Sequence, residues 1–240
     1  MSEWSRILRP LMNQRWLKYS FLVALALTLL SIFFFDQPVA AFEQRAGGRD
    51  SVILQKGTRW LEVASGFPID RYFLTYLLGA AGVLLFIWKS SRSAAWMLLF
   101  IASAHIVTRL VAGSLKNVFE RLRPVEVIQA GNWDWKFFAG HGNAFPSGHS
   151  AFFWGLFFPL LFFFPRYRLP LLIIPVFISI ARVGVNDHWC SDVIASAGLA
   201  ALITYVLIWI FRMKSAQPGI SSNPELIDDG VGSAKSNPRK

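Results

Sequence analysis

A single cysteine, Cys190, stands in a chain of 240 residues, so no disulfide can close within it and no cysteine-rich zinc site or iron–sulfur cluster can be built. Charge is scarce as well. Asp, Glu, Lys and Arg make up 16% of the residues, against 54% hydrophobic and 15% aromatic. That balance excludes a disordered chain. It also argues against an ordinary soluble domain, because 22 Phe and 10 Trp, at a mean hydropathy of +0.44, leave more apolar surface than a core of this size hides. Acidic residues are the scarcer kind, 14 against 24 Lys and Arg, for a formal net charge of +10. The basic excess is not gathered into one stripe, as a nucleic-acid surface would be. It is spread between apolar runs, where it sets topology and meets anionic lipid or substrate. No internal repeat is present.

Apolar runs are what the chain has in abundance. Six are long enough, or nearly so, to cross a hydrocarbon layer of about 30 Å, which takes roughly 20 helical residues: 19–35, 72–88, 94–113, 150–164, 169–185 and 193–211. Inside lipid each must be helical, since no water serves its peptide groups. The fourth is short and carries Gly155 and Pro159. The first reads as a retained anchor rather than a cleaved signal: the segment before it is long and basic, and Asp36-Gln37-Pro38 follows it, with Ala40-Ala41 the nearest cleavage pattern.

Short flanks rich in Lys and Arg orient the bundle. Arg6, Arg9, Arg15 and Lys18, then Lys89 and Arg92, Arg166 and Arg168, and Arg212 and Lys214 share one side if there are six crossings, which makes that side and both termini cytoplasmic. The connection 36–71 on the other side has five basic and five acidic residues, and so no bias. The expectation is an all-α six-transmembrane-helix bundle over 1–214 with a non-cytoplasmic active-site loop region. A disordered cytoplasmic tail over 215–240, rich in Ser, Pro, Gly and Asn, follows it.

Polar chemistry is concentrated in three segments that such a topology brings to the non-cytoplasmic face. Lys116 and Arg123 are seven residues apart; on a continued third helix they share a face about 10 Å apart, where a point charge and a planar fork can clasp a phosphate before Pro124 stops the helix. Topology charges snorkelling at the interface fit this segment equally well. Pro146-Ser147-Gly148-His149 opens the fourth run; free N–H groups at a helix start bind anions, Gly148 permits close approach, and His149 can hand a proton to a departing oxygen. A helix capped by Ser147 beside a bystander histidine is the plain alternative. In the third segment Arg182 precedes His188 and Asp192, the last two spaced i, i+4, so that Asp192 can orient the imidazole and leave its other nitrogen as a nucleophile. Ordinary capping again competes. A metal site is the weaker reading, since only Asp187, His188 and Asp192 lie close together. Cys190 is no nucleophile of a cysteine phosphatase, because Ser196 stands where that chemistry needs an arginine.

Taken together and in order, Lys-x6-Arg-Pro, Pro-Ser-Gly-His and Arg-x5-His-x3-Asp are specific. The set resembles the type 2 phosphatidic acid phosphatase superfamily, which includes integral-membrane lipid phosphatases, bacterial acid phosphatases and vanadium haloperoxidases. The likeness covers 116–192, and the flanking runs fit the membrane branch. It implies that His188 attacks phosphorus to form a phosphohistidine, Asp192 holds its tautomer and His149 protonates the leaving oxygen. Lys116, Arg123 and Arg182, with the N–H groups around Ser147 and Gly148, would neutralise the phosphoryl oxygens, with no metal or other cofactor. The implied enzyme is a lipid phosphatase of a bacterial inner membrane, with its site at the periplasm, a lipid phosphate as substrate and no nucleic acid as partner. The family's third motif usually has Ser before its Arg. Here Ala181 stands there, which predicts tuning rather than loss of activity.

Weaker signals flank the motifs. His105 and Arg109 extend the stripe of Lys116 into the bilayer and read first as a buried hydrogen-bond network, with a functional role as the alternative. Trp133, Trp135, Phe137 and Phe138 form an aromatic loop suited to the lipid interface or to guiding a lipid tail. His141 reads as loop.

Overall fold

The computed structural model describes residues 15–131, 133 and 137–216, with side chains as far as 211. Arg6, Arg9, Trp135 and the tail from 217 onward lie outside the described residues, as do the side chains of Arg212 and Lys214. Among the described residues there are nine α-helices and no strand. They are α1 (Arg15–Phe34), α2 (Asp36–Ala46), α3 (Val52–Ala64), α4 (Phe73–Leu85), α5 (Arg92–Phe119), α6 (Pro124–Gln129), α7 (Gly148–Phe163), α8 (Arg168–Gly184) and α9 (Cys190–Ala216).

Four stretches are long and apolar enough to cross a membrane: Arg15–Phe34, Lys89–Gln129, Pro165–Gly184 and Cys190–Phe211. The other two expected runs are apolar but shorter, 13 residues in α4 and 16 in α7. At 1.5 Å per residue α4 rises about 20 Å. The all-α membrane architecture therefore stands as four full-length helices and two shorter ones.

Of the two shorter apolar helices, α4 packs on α5 and exposes Tyr76, Leu77, Val83 and Leu84, whereas α7 is central. α7 packs against α5, α8 and α9, and Phe152, Phe153, Phe157, Phe158 and Leu161 along it are buried. Close approach explains Gly155, where a Cβ would sit 3.0 Å from the Thr108 side chain of α5. The Thr108 hydroxyl is satisfied within its own helix by Ala104 O at 2.7 Å. α1 lies along α9, and Gly198 faces Ala24 across that contact in the same way. The outer faces of these helices expose Leu, Val, Ile and Phe, as a lipid-facing surface requires.

One feature adds to the sequence reading and a second differs from it. The connection 36–71 is folded: α2 ends at Gly47, whose positive φ of 69° closes the helix, and Ser51 caps α3. α3 exposes Val52, Ile53, Trp60 and Val63, the composition of a helix lying in a membrane interface. Secondly, α5 does not run on to Arg123. It stops at Phe119, Glu120 takes a left-handed conformation with φ 40°, and Pro124 opens α6 rather than ending a helix. Proline explains the opening of α6: it holds Arg123 extended, at ψ 154°, and it suits a first helical turn, where its missing N–H costs nothing. The Glu126 carboxylate accepts the Arg123 N–H at 2.6 Å and secures the new start.

Candidate active site

The His188 side of the site is assembled where α8 gives way to α9. After Gly184 the chain turns through Asn186, at φ 57°, and the amides of Asp187 and His188 both donate to Arg182 O, at 3.2 and 3.1 Å. Asp192 sits in the first turn of α9, where its Oδ2 accepts the Trp189 N–H at 2.8 Å and lies 3.4 Å from His188 Nδ1. That leaves Nε2 of His188 for chemistry. Burial pushes the imidazole down to about 4, with the hydrogen bond to Asp192 opposing the shift, so the ring is neutral near pH 7.

Asp192 is itself held from behind. Arg121 is 3% exposed; it donates to Asp192 Oδ1 at 2.7 Å, to Ser191 Oγ at 2.6 Å and to Asp36 Oδ2 at 2.6 Å. The Ser191 N–H in turn donates to Asp36 Oδ1 at 2.9 Å. One buried arginine between two buried carboxylates thus ties α2, the residues after α5 and α9 together. A carboxylate fixed at both oxygens holds an imidazole tautomer more firmly than a free one.

On the opposite wall, α7 opens at Gly148, so His149 lies in its first turn. His149 Nε2 is 2.8 Å from Glu62 Oε1, and the Phe67 ring packs on the imidazole with centroids 4.8 Å apart. Of the turn, Gly148 and His149 reach the cavity. Ser147 is fully buried; its N–H donates to Asp192 O at 3.1 Å, and its Oγ faces Ser150 N at 3.4 Å as a helix cap. Lys116 and Arg123 no longer share a helix, yet they meet. Lys116 Nζ donates to Asn143 O, and Arg123 Nε donates to the same residue's Oδ1 at 3.0 Å. Asn143 is in place because the 138–144 segment pairs with the residues after α5, through Phe138 N to Phe119 O at 2.7 Å and Ala144 N to Arg121 O at 2.8 Å.

A cavity of about 610 Å³ joins Lys116, Arg123, Asn143, Gly148, His149 and His188, and extends past Arg109 to Phe67, Arg71 and Tyr72. Arg182 borders a neighbouring cavity of about 300 Å³ with Glu62 and Asp187, and pairs with Asp187. Arg123 lies 3.9 Å from the same carboxylate. Arg109, Arg123 and Arg182 all lie close enough to repel the Lys116 ammonium, with Asp192 opposing them, a concentration of positive charge that suits an anion.

A family model, the PAP2 superfamily, matches residues 93–216. The chain belongs to that superfamily. Among curated proteins, this PAP2 chain is similar to a lipid A 1-phosphatase of Rhizobium etli, 30% identical over 207 residues, covering 80% of this chain and 85% of the relative. A lipid A 1-phosphatase of Rhizobium johnstonii is 29% identical over 200 residues, covering 79% and 78%. Among solved structures, a transmembrane PAP2-type phosphatidylglycerolphosphate phosphatase from Bacillus subtilis aligns with a TM-score of 0.47 and 18% identity, over 83% of this chain and 98% of that one.

Several residues around this cavity escaped the motif reading. Arg121 lies inside the first motif, but its spacing carries no signal. Asp36, Glu62 and Asn143 come from connections that had no periodicity to place them. Arg109 lies at the cavity, donating to Gly148 O at 2.7 Å under the rings of Phe67, Tyr72 and Phe152, whereas His105 bonds Thr75 Oγ1 at 2.6 Å in the core. Ala181 is fully buried behind Arg182, and Cys190 is a free thiol at the start of α9. In the aromatic loop Phe137 covers Arg121, its centroid 4.4 Å from the guanidinium, while Phe138 is exposed.

Proposed function

We propose that this protein is a membrane lipid phosphatase that removes a phosphate from an amphipathic lipid through a phosphohistidine. The observation that carries the reading is the pair of imidazoles, His149 and His188, bordering one cationic cavity, with Asp192 on the inner nitrogen of His188. Nε2 of His188 attacks phosphorus, the P–O bond to the lipid breaks, and the leaving oxygen takes a proton from His149. Water then attacks phosphorus and gives a proton to His149, and the P–N bond to His188 breaks, releasing inorganic phosphate and the free imidazole. Lys116 and Arg123 hold the phosphoryl oxygens, Gly148 lets the backbone approach them, and Arg182 adds charge from the adjoining wall. Ser147 serves this site as the cap that sets the start of α7 rather than as a phosphate ligand.

The relatives support a glycolipid phosphate of the lipid A type as the substrate to test first, with phosphatidylglycerol phosphate, phosphatidic acid and prenyl pyrophosphates beside it. The bacterial relatives support an inner-membrane location, and the basic flanks support cytoplasmic termini with the site at the periplasm. The test is a phosphate-labelled lipid panel on purified wild type and His188→Ala in detergent. Free phosphate from wild type, and at least a thousandfold less from the variant, is expected. A new phosphorylated lipid in place of free phosphate would make the enzyme a transferase. Binding of every lipid without release from any of them would overturn the enzymatic reading.

A further inference from the structure

Glu62 belongs to none of the three motifs and stands on α3, a helix outside the membrane spans, yet its carboxylate is 2.8 Å from His149 Nε2. Both side chains are largely shielded, Glu62 at 16% and His149 at 21% exposure. The contact is supported from two sides: Phe67, in the turn after α3, packs on the imidazole, and Arg59 lies 3.5 Å from the other oxygen of Glu62. The pairing with His149 holds the Glu62 carboxyl below its ordinary range against the opposing effect of burial. His149 borders the main cavity and Glu62 borders the adjoining one, so the ring forms the wall between them. With Nε2 taken by the carboxylate, Nδ1 is the nitrogen left to serve the substrate.

We infer that Glu62 is a positioning residue for the acid step: it orients His149 and favours the doubly protonated ring, so that the nitrogen toward the cavity has a proton to give. A carboxylate on one nitrogen does this for any imidazole, whether its other nitrogen binds a metal or transfers a proton. The site then holds two imidazole–carboxylate pairs with opposite duties. Asp192 serves a ring that attacks, and Glu62 serves a ring that donates. The inference rests on the phosphohistidine reading and adds a residue from outside the motifs to it.

Leaving-group dependence tests it. A poor alkoxide leaving group needs the proton, and a nitrophenolate does not. Purified wild type, His149→Ala, Glu62→Gln and Glu62→Ala are compared on dodecyl phosphate and 4-nitrophenyl phosphate in the same detergent. The ratio of alkyl to aryl kcat cancels differences in the folded fraction of each preparation. Relative to wild type, the ratio falls about 10-fold in Glu62→Gln, which keeps an acceptor without the charge, and about 100-fold in Glu62→Ala. His149→Ala gives the largest fall. Equal losses on both esters in the Glu62 variants, beside a changed ratio in His149→Ala, would overturn the positioning role alone. A ratio unchanged in His149→Ala would overturn the acid role of His149 and the inference with it. Faster turnover in Glu62→Gln, with a lower KM on both esters, would instead make the carboxylate an occupant of the anion site.

Discussion

His188 shows how burial changes what an imidazole can do. An imidazole in water is half protonated near pH 6.5 and would attack phosphorus poorly below that. At 2% exposure the ring resists its charge and stays neutral down to about 4. Between those values an unfolded chain takes up a proton that native His188 refuses, so this residue's contribution to stability falls as pH drops from 6.5 toward 4 and returns as pH rises. The His188 ring resonances of selectively labelled protein in detergent should therefore hold still between pH 8 and 5. Titration near 6.5 would mean that water reaches the ring. The same burial explains why Arg121 cannot be an isolated charge: removing it would strand two carboxylates, Asp36 and Asp192, each with a side chain of 0% exposure.

At the scale of elements, the site depends on where helices stop. α5 would carry Arg123 away from Asn143 if it continued, and the turn at Glu120 prevents this. The 138–144 segment then lies against residues 119–121, so closely that a Cβ on Gly142 would come within 2.3 Å of Glu120 O and of the Arg121 carbonyl carbon. These contacts are backbone, which cannot swing aside as a flexible side chain does. Gly142→Ala should cost about 1–3 kcal/mol and displace Asn143 from Lys116 and Arg123. A rise of at least tenfold in KM for lipid phosphate, larger than the fall in kcat, is the expected outcome. Unchanged kinetics would show that Asn143 does not organise the two cations. α3 works differently, bringing Glu62 to the bundle from the interface rather than from a membrane helix.

The whole molecule sorts its chemistry by ends. The C-terminal ends of α5 and α8 and the N-terminal ends of α7 and α9 supply the site, while Lys89, Arg92, Arg166 and Arg168 lie at the other ends of the same helices. Since α5 alone rises about 42 Å, the two groups are a membrane apart. In intact bacteria carrying the chain with Cys190→Ser, a membrane-impermeant maleimide should label Asp50→Cys directly and Lys89→Cys only after permeabilisation. The reverse pattern would turn the bundle over and move the site to the cytoplasm.

Composition, apolar runs and motif spacing were enough to specify a helical membrane protein with Lys116, Arg123, His149, Arg182, His188 and Asp192 as its candidate site, because lipid leaves the backbone one choice and each motif is local. Local order also placed His188 and Asp192 four residues apart. Tertiary structure decided the rest: that Asn143 rather than a shared helix unites Lys116 with Arg123, that Arg121 braces Asp192 against Asp36, that Ser147 is buried as a cap, and that Glu62 meets His149. The side-chain contacts of Asn143, Arg121 and Glu62 join residues 20 to 87 positions apart, and the burial of Ser147 depends on its N–H reaching Asp192 O on another helix. Periodicity along a chain carries no record of which turns come to face each other; packing supplies it.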